Sequence, residues 1–249
     1  MVKPIQIIWS YWDGPQDDLI KNCFKTWYKY LHDWKINILD ERSLDKFGIT
    51  KPSTWSQLSQ ATKSDVIRLN LLYKYGGIWM DASILLHTNF DWLKKYLLPW
   101  SSRNYFQIKI PWENWNESSF IVVPKKYNNF IGKWKELLLE VLEYWPYVEK
   151  SPIYKIEYTH NSRYFMVYQT HIYLICNDPD FRQGIILPIN GIFALFPFIF
   201  PSFFEPRYFT KFIKGGRKIL RYHYYIEILI LIIILLICFK LKGKYFQYK

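Results

Sequence analysis

The sequence predicts an α/β domain with a mostly parallel sheet flanked by helices, followed by a hydrophobic C-terminal helical tail. Residues 5–11 form a short apolar run, residues 17–32 repeat apolar side chains every three or four positions, and residues 34–39 alternate. Strand, helix and strand within about 35 residues is the order typical of a parallel sheet. A further helix and strand, over residues 62–75 and 78–80, continue the alternation.

The second predicted helix has a start signal and a stop signal. Thr62 and Asp65 have the spacing of a capping box, which predicts a helix start. Gly76 and Gly77 predict its end, because glycine accepts the left-handed conformation common after helix C-termini. The next strand then leads directly to Asp81. Ligands of open parallel sheets bind beyond the carboxyl ends of the strands, so we expect Asp81 at a site.

Later elements follow from the same patterns. Residues 120–123 predict a core strand, and residues 129–144 predict another helix. Residues 164–176 are apolar and aromatic, and their pattern does not decide between a helix and a strand, so the type of this element stays open.

Charge divides the chain at residue 190. Residues 191–249 contain 10 Lys and Arg against 2 Asp and Glu, and so hold most of the formal net charge of +12. Within them the uncharged run 228–239 lies between basic segments. Basic charge beside apolar residues suits an anionic membrane surface. We therefore predict one domain over residues 1–190 and a membrane-associating tail over residues 191–249.

How the tail meets a membrane stays open. The run 228–239 is shorter than the about 20 apolar residues that a spanning helix needs, so it could span with its flanks, lie on the surface or be a buried core helix. Slightly more basic residues precede the run than follow it, which predicts a cytoplasmic N-terminal domain. The chain has three cysteines, Cys23, Cys176 and Cys238. Because their number is odd and they are widely spaced, they do not suggest a disulfide framework and favour a reducing compartment.

Composition excludes two classes of protein. Half of the residues are hydrophobic and a fifth are aromatic, which is ample material for a core and excludes a disordered chain. The positive charge lies mainly in the tail, and none of the usual nucleic-acid-binding motifs occurs, so we expect no nucleic acid partner.

Three residues have the chemistry of a binding site. Asp65 and Arg68 are three positions apart, so they share one face of the predicted helix, and the Gly-Gly turn brings the strand end at Asp81 back toward them. A guanidinium grips phosphate oxygens, and carboxylates accept hydroxyl hydrogen bonds or hold a hard cation. The structural alternative is that Asp65 caps the helix and Arg68 pairs with it or a neighbour.

The same residues carry a family resemblance. The segments 59–68 (SQATKSDVIR) and 71–83 (LLYKYGGIWMDAS) resemble the capsular polysaccharide synthesis family and the wider group of sugar transferases with an Asp-X-Asp motif. Residues 5–12 and 119–125 are similar to its first strand and to a later strand. The resemblance implies a GT-A fold, a nucleotide-sugar donor and, usually, Mn²⁺ or Mg²⁺.

The resemblance also assigns roles to individual residues. It implies that Asp65 and Arg68 contact the donor and that Asp81 takes the first Asp position, where it would hold the metal. Trp9 or Trp12 would lie against the nucleobase. Where related transferases have a second Asp this sequence has Ser83, a weaker ligand at the donor site, which makes metal use an open question.

An acceptor site is predicted from a separate segment. Glu113 and Glu117 are four residues apart in a Trp-rich stretch. Carboxylates bind sugar hydroxyls and indoles stack on sugar faces, so these residues could meet an acceptor sugar. A solvated loop is the alternative.

The sequence therefore predicts an enzyme, a glycosyltransferase of hexosyltransferase type with Asp81 and Arg68 as its catalytic residues. It would move a sugar from a nucleotide-sugar donor to a glycan or lipid-linked acceptor at a membrane. One alternative is a sugar- or nucleotide-binding remnant that has lost activity, because the second Asp is absent. The other is a membrane-anchored scaffold.

Overall fold

A computed structural model describes residues 5–93, 105–109, 116–153, 164–183, 185–190 and 209–211 of the chain. The helices are α1 Asp18–Tyr30, α2 Gln60–Tyr75, α3 Asn129–Leu142, α4 Met166–Asn177 and α5 Pro179–Gln183. The strands are β1 Ile7–Tyr11, β2 Lys35–Leu39, β3 Gly77–Met80, β4 Ile84–Leu86, β5 Tyr105–Lys109, β6 Asn116–Val123, β7 Ile185–Asn190 and β8 Phe209–Lys211.

Six strands form one mixed sheet in the order β2-β1-β3-β6-β5-β7, and β4 pairs with β8 in a separate antiparallel ribbon. β1 runs parallel to β2 and to β3, and β5 runs parallel to β7. The strand β6 runs antiparallel to both β3 and β5. The mostly parallel α/β sheet is confirmed, and the reversed strand β6 is the feature that the sequence did not predict.

The sheet separates two apolar clusters. Alternate side chains of a strand point to opposite faces, so Ile78 and Met80 join one cluster while Trp79 joins the other. On the first face α1 buries Phe24 and Trp27, and the Trp27 indole Nε1 donates to the Ile84 carbonyl at 2.6 Å. On the second face α2 packs against α3 and α4.

The helix α2 starts two residues earlier than the sequence predicts. Ser59 is its N-cap, and the Ser59 Oγ accepts a hydrogen bond from the Thr62 backbone N–H. The predicted capping box of Thr62 and Asp65 is therefore wrong. Ser59 satisfies the free N–H of Thr62, which leaves the Asp65 carboxylate, further along the helix, to make other contacts.

The turn between α2 and β3 needs its glycines. Gly76 and Gly77 have φ angles of +64° and +96°, a region that favours glycine. A Cβ on Gly77 would lie 2.5 Å from the Ile7 carbonyl oxygen in the neighbouring strand. The predicted Gly-Gly ending is thus confirmed, and it lets β3 pair closely with β1.

The C-terminal part is only partly described. Contacts separate Met1–Lys211 from Phe212–Lys249, and the latter segment, with the predicted apolar run 228–239, lies outside the described residues. The strand Phe209–Lys211 lies in the segment that the sequence assigns to the tail. The predicted domain boundary at residue 190 stays a prediction. Among the described residues, no helix combines the length and the apolar character needed to cross a membrane.

Candidate active site

Chain direction brings the predicted residues together. The helix α2 and the strand β3 run in opposite directions because the tight turn at Gly76 joins them. The first turns of α2 therefore lie over the carboxyl end of β3. Asp65 and Arg68 on the helix and Asp81 after the strand meet at this edge of the sheet, as the sequence predicts.

Arg68 lies between the two carboxylates. Its Nη2 donates to Asp81 Oδ1 at 2.8 Å, and its Nη1 is 2.8 Å from Asp65 Oδ1. The second contact is an ion pair that lacks the alignment of a hydrogen bond. The Arg68 side chain is only 4% exposed, against 12% for Asp65 and 24% for Asp81. Arg68 is therefore a buried cation whose charge is balanced by its neighbours.

Trp79 completes the environment of this cation. The Trp79 indole Nε1 donates to Asp81 Oδ1 at 2.7 Å, and the guanidinium carbon of Arg68 lies 5.0 Å from the centre of the Trp79 ring. Burial alone would lower the pKa of Arg68, but the charges of Asp81 and Asp65 raise it above its ordinary value. Arg68 is therefore protonated throughout the working pH range.

The reversed strand adds residues to the same edge. The Asp81 backbone N–H donates to the Ser119 carbonyl, and the Ser119 N–H donates to Glu117 Oε1 at 2.9 Å. The Tyr168 hydroxyl, from α4, also donates to Glu117 Oε1, at 3.1 Å. In turn the Ser118 hydroxyl donates to the Tyr168 oxygen at 3.1 Å. A network from two distant elements thus adjoins Asp81.

This network lies close enough to influence the Arg68 cluster, which consists of Arg68, Asp65, Asp81 and Trp79. Glu117 and Tyr168 are among the groups whose charges act on Arg68. Removal from water, followed by the charges of Asp65, Asp81 and Glu117, raises the pKa of Tyr164. Burial, followed by the charge of Glu117, raises the pKa of Tyr168 well above its ordinary value. Both tyrosines are therefore neutral donors at physiological pH.

A register shift accompanies the network. Gln107 of β5 is paired with Ile121 of β6, yet the next residue, Ile108, is paired with Glu117. Residues 118–120 of β6 therefore have no paired residue in β5 and form a bulge. Such bulges re-aim side chains and are common beside active sites.

The family of the protein follows from its sequence. The family described as capsular polysaccharide synthesis protein matches residues 2–171. The chain belongs to this family. No curated protein matches it at a significant level.

The chain is similar to solved structures of glycosyltransferases. A glycosyltransferase involved in the glycosylation of the major capsid of PBCV-1 is 10% identical, with a TM-score of 0.52, over 89% of this chain and 98% of that one. The PaToxG glycosyltransferase is 18% identical, with a TM-score of 0.44, over 71% of this chain and 70% of that one. The first likeness shows a shared GT-A-like fold.

The two tryptophans predicted to lie against the nucleobase have different surroundings in the structure. Trp9 is 3% exposed, and its Nε1 donates to the Gly76 carbonyl at 2.9 Å, at the end of β3 away from Asp81. It packs against Phe47 and Tyr75 as a core residue. Trp12 is partly exposed and follows β1 at the edge that carries Asp81. Trp12 is therefore accessible for the predicted contact with a nucleobase, whereas Trp9 is buried and is not.

The remaining predicted residues are placed as follows. Ser83 is 4% exposed and lies two positions after Asp81. Glu117 is at the Arg68 cluster, whereas Glu113 lies outside the described residues. No group of three or more His, Cys, Asp or Glu side chains in the described part of the chain could hold a metal ion. The described side chains therefore do not form a complete metal site by themselves.

Sequence reasoning missed Ser119, Tyr164 and Tyr168. The tyrosines fall in the stretch whose type the sequence left open, and only the reversed direction of β6 brings Ser119 to Asp81. The spacing of four between the tyrosines, typical of one helix face, is the one available signal.

Proposed function

We propose that this protein is a glycosyltransferase that moves a hexose from a nucleotide sugar to a glycan or lipid-linked acceptor. The observation that supports it is the buried Arg68 held between Asp65 and Asp81 at the carboxyl edge of the sheet. A buried cation with two carboxylates is costly to assemble and is common where a site needs fixed charges. Membership of the capsular polysaccharide synthesis family also supports a glycosyltransferase.

The chemistry proposed for these residues follows from their geometry. Arg68 holds the Asp65 and Asp81 carboxylates in place, and carboxylates accept hydrogen bonds from sugar or ribose hydroxyls. Because Arg68 is nearly buried, it would stabilise the leaving diphosphate through the electric field of its positive charge rather than by direct contact. A fixed positive charge near the developing negative charge lowers the barrier without reorganisation.

Charge balance supports a divalent cation in this proposal. Asp65, Asp81 and Glu117 carry three formal negative charges against one positive charge on Arg68, which leaves a net charge of −2. An anionic diphosphate is repelled by such a site unless a cation accompanies it. Mg²⁺ or Mn²⁺ would be held chiefly by oxygens of the diphosphate. On the protein, Asp81 would be its ligand, and the Ser83 hydroxyl would be at most a weak one. The cation would neutralise charge on the diphosphate.

Release of nucleoside diphosphate tests this function. The protein is incubated with UDP-glucose, UDP-N-acetylglucosamine and GDP-mannose, with and without Mn²⁺. We expect release from one donor, and we expect Arg68→Lys to lower it at least tenfold because lysine cannot contact two carboxylates in the same planar geometry. Asp18→Asn, at a carboxylate that is 97% exposed, is the matched control. Equal rates in Arg68→Lys and the control contradict the proposed site.

A second candidate is a binding protein without turnover. Ser83 stands where a second carboxylate is expected, and its buried hydroxyl cannot replace that charge. Binding of a donor by calorimetry, with no release of nucleoside diphosphate at any metal concentration, would identify this case. A membrane-anchored scaffold would bind none of the donors.

The tail completes the proposal. Residues 191–249 would hold the protein at the cytoplasmic face of a membrane, close to a lipid-linked or growing glycan. The support is the basic and apolar sequence of this segment.

A further inference from the structure

Glu117 is a carboxylate with one oxygen fixed and one available. Its Oε1 accepts hydrogen bonds from the Ser119 N–H and the Tyr168 hydroxyl. Its Oε2 makes no hydrogen bond with any residue that the structure describes. The carboxylate is only partly buried, so the second oxygen can meet a ligand. Orientation by two donors lowers the entropy that such a contact would cost.

Ser119 gives an independent sign of a ligand here. Its backbone joins the two carboxylate residues, because its carbonyl accepts from Asp81 and its N–H donates to Glu117. Ser119 is 1% exposed, and its hydroxyl makes no hydrogen bond within the described chain. Buried polar groups are normally paired, so an orphaned hydroxyl on the residue whose backbone links Asp81 and Glu117 indicates a polar partner.

The chemistry of these groups selects the partner. Glu117, Asp81 and Asp65 repel phosphate, but each accepts hydrogen bonds from hydroxyl groups. Ser119 can donate or accept. The charge of Glu117 reaches Arg68 and Tyr164, which places it within the cluster proposed to hold the donor. A ring with several hydroxyls, attached to a diphosphate, fits this arrangement of acceptors.

We propose that Glu117, positioned by Tyr168, binds hydroxyls of the transferred sugar and so helps to select the donor. This inference rests on the proposed glycosyltransferase function. It assigns Glu117 to the donor sugar rather than to the acceptor, and it makes Tyr168 a positioning residue that acts through Glu117.

Calorimetry with UDP-glucose, UDP-N-acetylglucosamine and GDP-mannose, each compared with the free UDP or GDP, tests the assignment. Glu117→Gln keeps an oxygen for Ser119 and Tyr168 but removes the charge. With Mn²⁺ present throughout, we expect the affinity for the best nucleotide sugar to fall about tenfold or more relative to the affinity for the free nucleoside diphosphate, because the diphosphate is common to both ligands and any change in its repulsion cancels in the ratio. The exposed Glu136→Gln is the control and should change neither affinity.

Tyr168→Phe tests the positioning role. We expect a smaller loss of nucleotide-sugar affinity, and we expect the double variant with Glu117→Gln to bind no more weakly than Glu117→Gln alone, because both changes act on one contact. Independent, additive losses would contradict positioning and leave Tyr168 a structural residue.

Two further outcomes separate this inference from the function on which it rests. If the wild-type protein binds a nucleotide sugar and Glu117→Gln binds it equally well, the inference is overturned and the proposed function stands; a loss confined to transfer would then assign Glu117 to the acceptor. If the wild-type protein binds none of the donors, both are overturned. Melting temperatures of all variants identify any loss that comes from unfolding.

Discussion

Arg68 makes stability and function depend on the same contacts. Its guanidinium is nearly buried, and it contacts the Asp65 and Asp81 carboxylates and the Trp79 ring. A substitution at Asp81 therefore acts on the fold as well as on any ligand.

Asp81→Asn is expected to abolish release of nucleoside diphosphate and to lower the free energy of unfolding by about 1–3 kcal/mol. The amide oxygen can still accept from Arg68 and Trp79, but it no longer balances the buried positive charge. Urea denaturation and the donor assay are measured on the same preparation. Normal turnover at saturating Mn²⁺ would remove Asp81 from the centre of the site.

His171 predicts how the protein responds to acid. It is 1% exposed, its Nε2 lies 2.9 Å from the Tyr105 hydroxyl, and burial lowers its pKa from 6.5 to about 3. The folded protein holds the neutral form, so His171 contributes full stability above pH 6.5. This stability is lost as the pH falls from 6.5 toward 3, because the unfolded chain takes up the proton first.

We expect about 2–3 kcal/mol less stability at pH 4.5 than at pH 7 from this one group. Urea denaturation at the two pH values measures the difference. His171→Gln is the matched variant, since glutamine retains hydrogen bonding and does not titrate. An equal loss in wild type and variant would assign the acid sensitivity to other groups.

The turn between α2 and β3 is the element that places the site. Gly77→Ala would bring a Cβ to 2.5 Å from the Ile7 carbonyl, so β3 must move away from β1. We expect a loss of roughly 2 kcal/mol or more and a fall in donor release, since Asp81 ends the displaced strand. Gly14→Ala is the matched control, because Gly14 also has a positive φ but nothing within 4 Å. Equal losses would show that the φ angle alone matters.

Local signals explain which elements the sequence predicts. The helix over residues 17–32 is confirmed as α1 with Asp17 as its N-cap, because apolar spacing and capping are short-range properties. The start of α2 was misplaced because Ser59, Thr62 and Asp65 all suit a cap and only the folded contacts choose among them. The direction of β6 is set by packing with β3 and β5, so the position of Glu117 could not be predicted.

At the scale of the molecule, truncation tests the proposal that the tail holds the protein at a membrane. A truncation test should end the chain at Lys211, since Phe209–Lys211 pairs with β4. We expect the truncated protein to move from the membrane fraction to the soluble fraction and to keep its donor release. A full-length protein that is wholly soluble without detergent would contradict the anchor, and a truncated protein that unfolds would favour a buried core helix.

The reversed strand β6 also has a consequence for divergence within the family. Because β6 runs against β3, the chain enters β6 at the very edge where Asp81 lies, whereas Arg68 and its turn come from a separate segment. Exchanges in the first residues of β6 can then alter the surroundings of Asp81 while Arg68 and its turn stay unchanged. If Glu117 binds the donor sugar as proposed, grafting the first residues of β6 between relatives should change the donor preference and leave the charged centre intact.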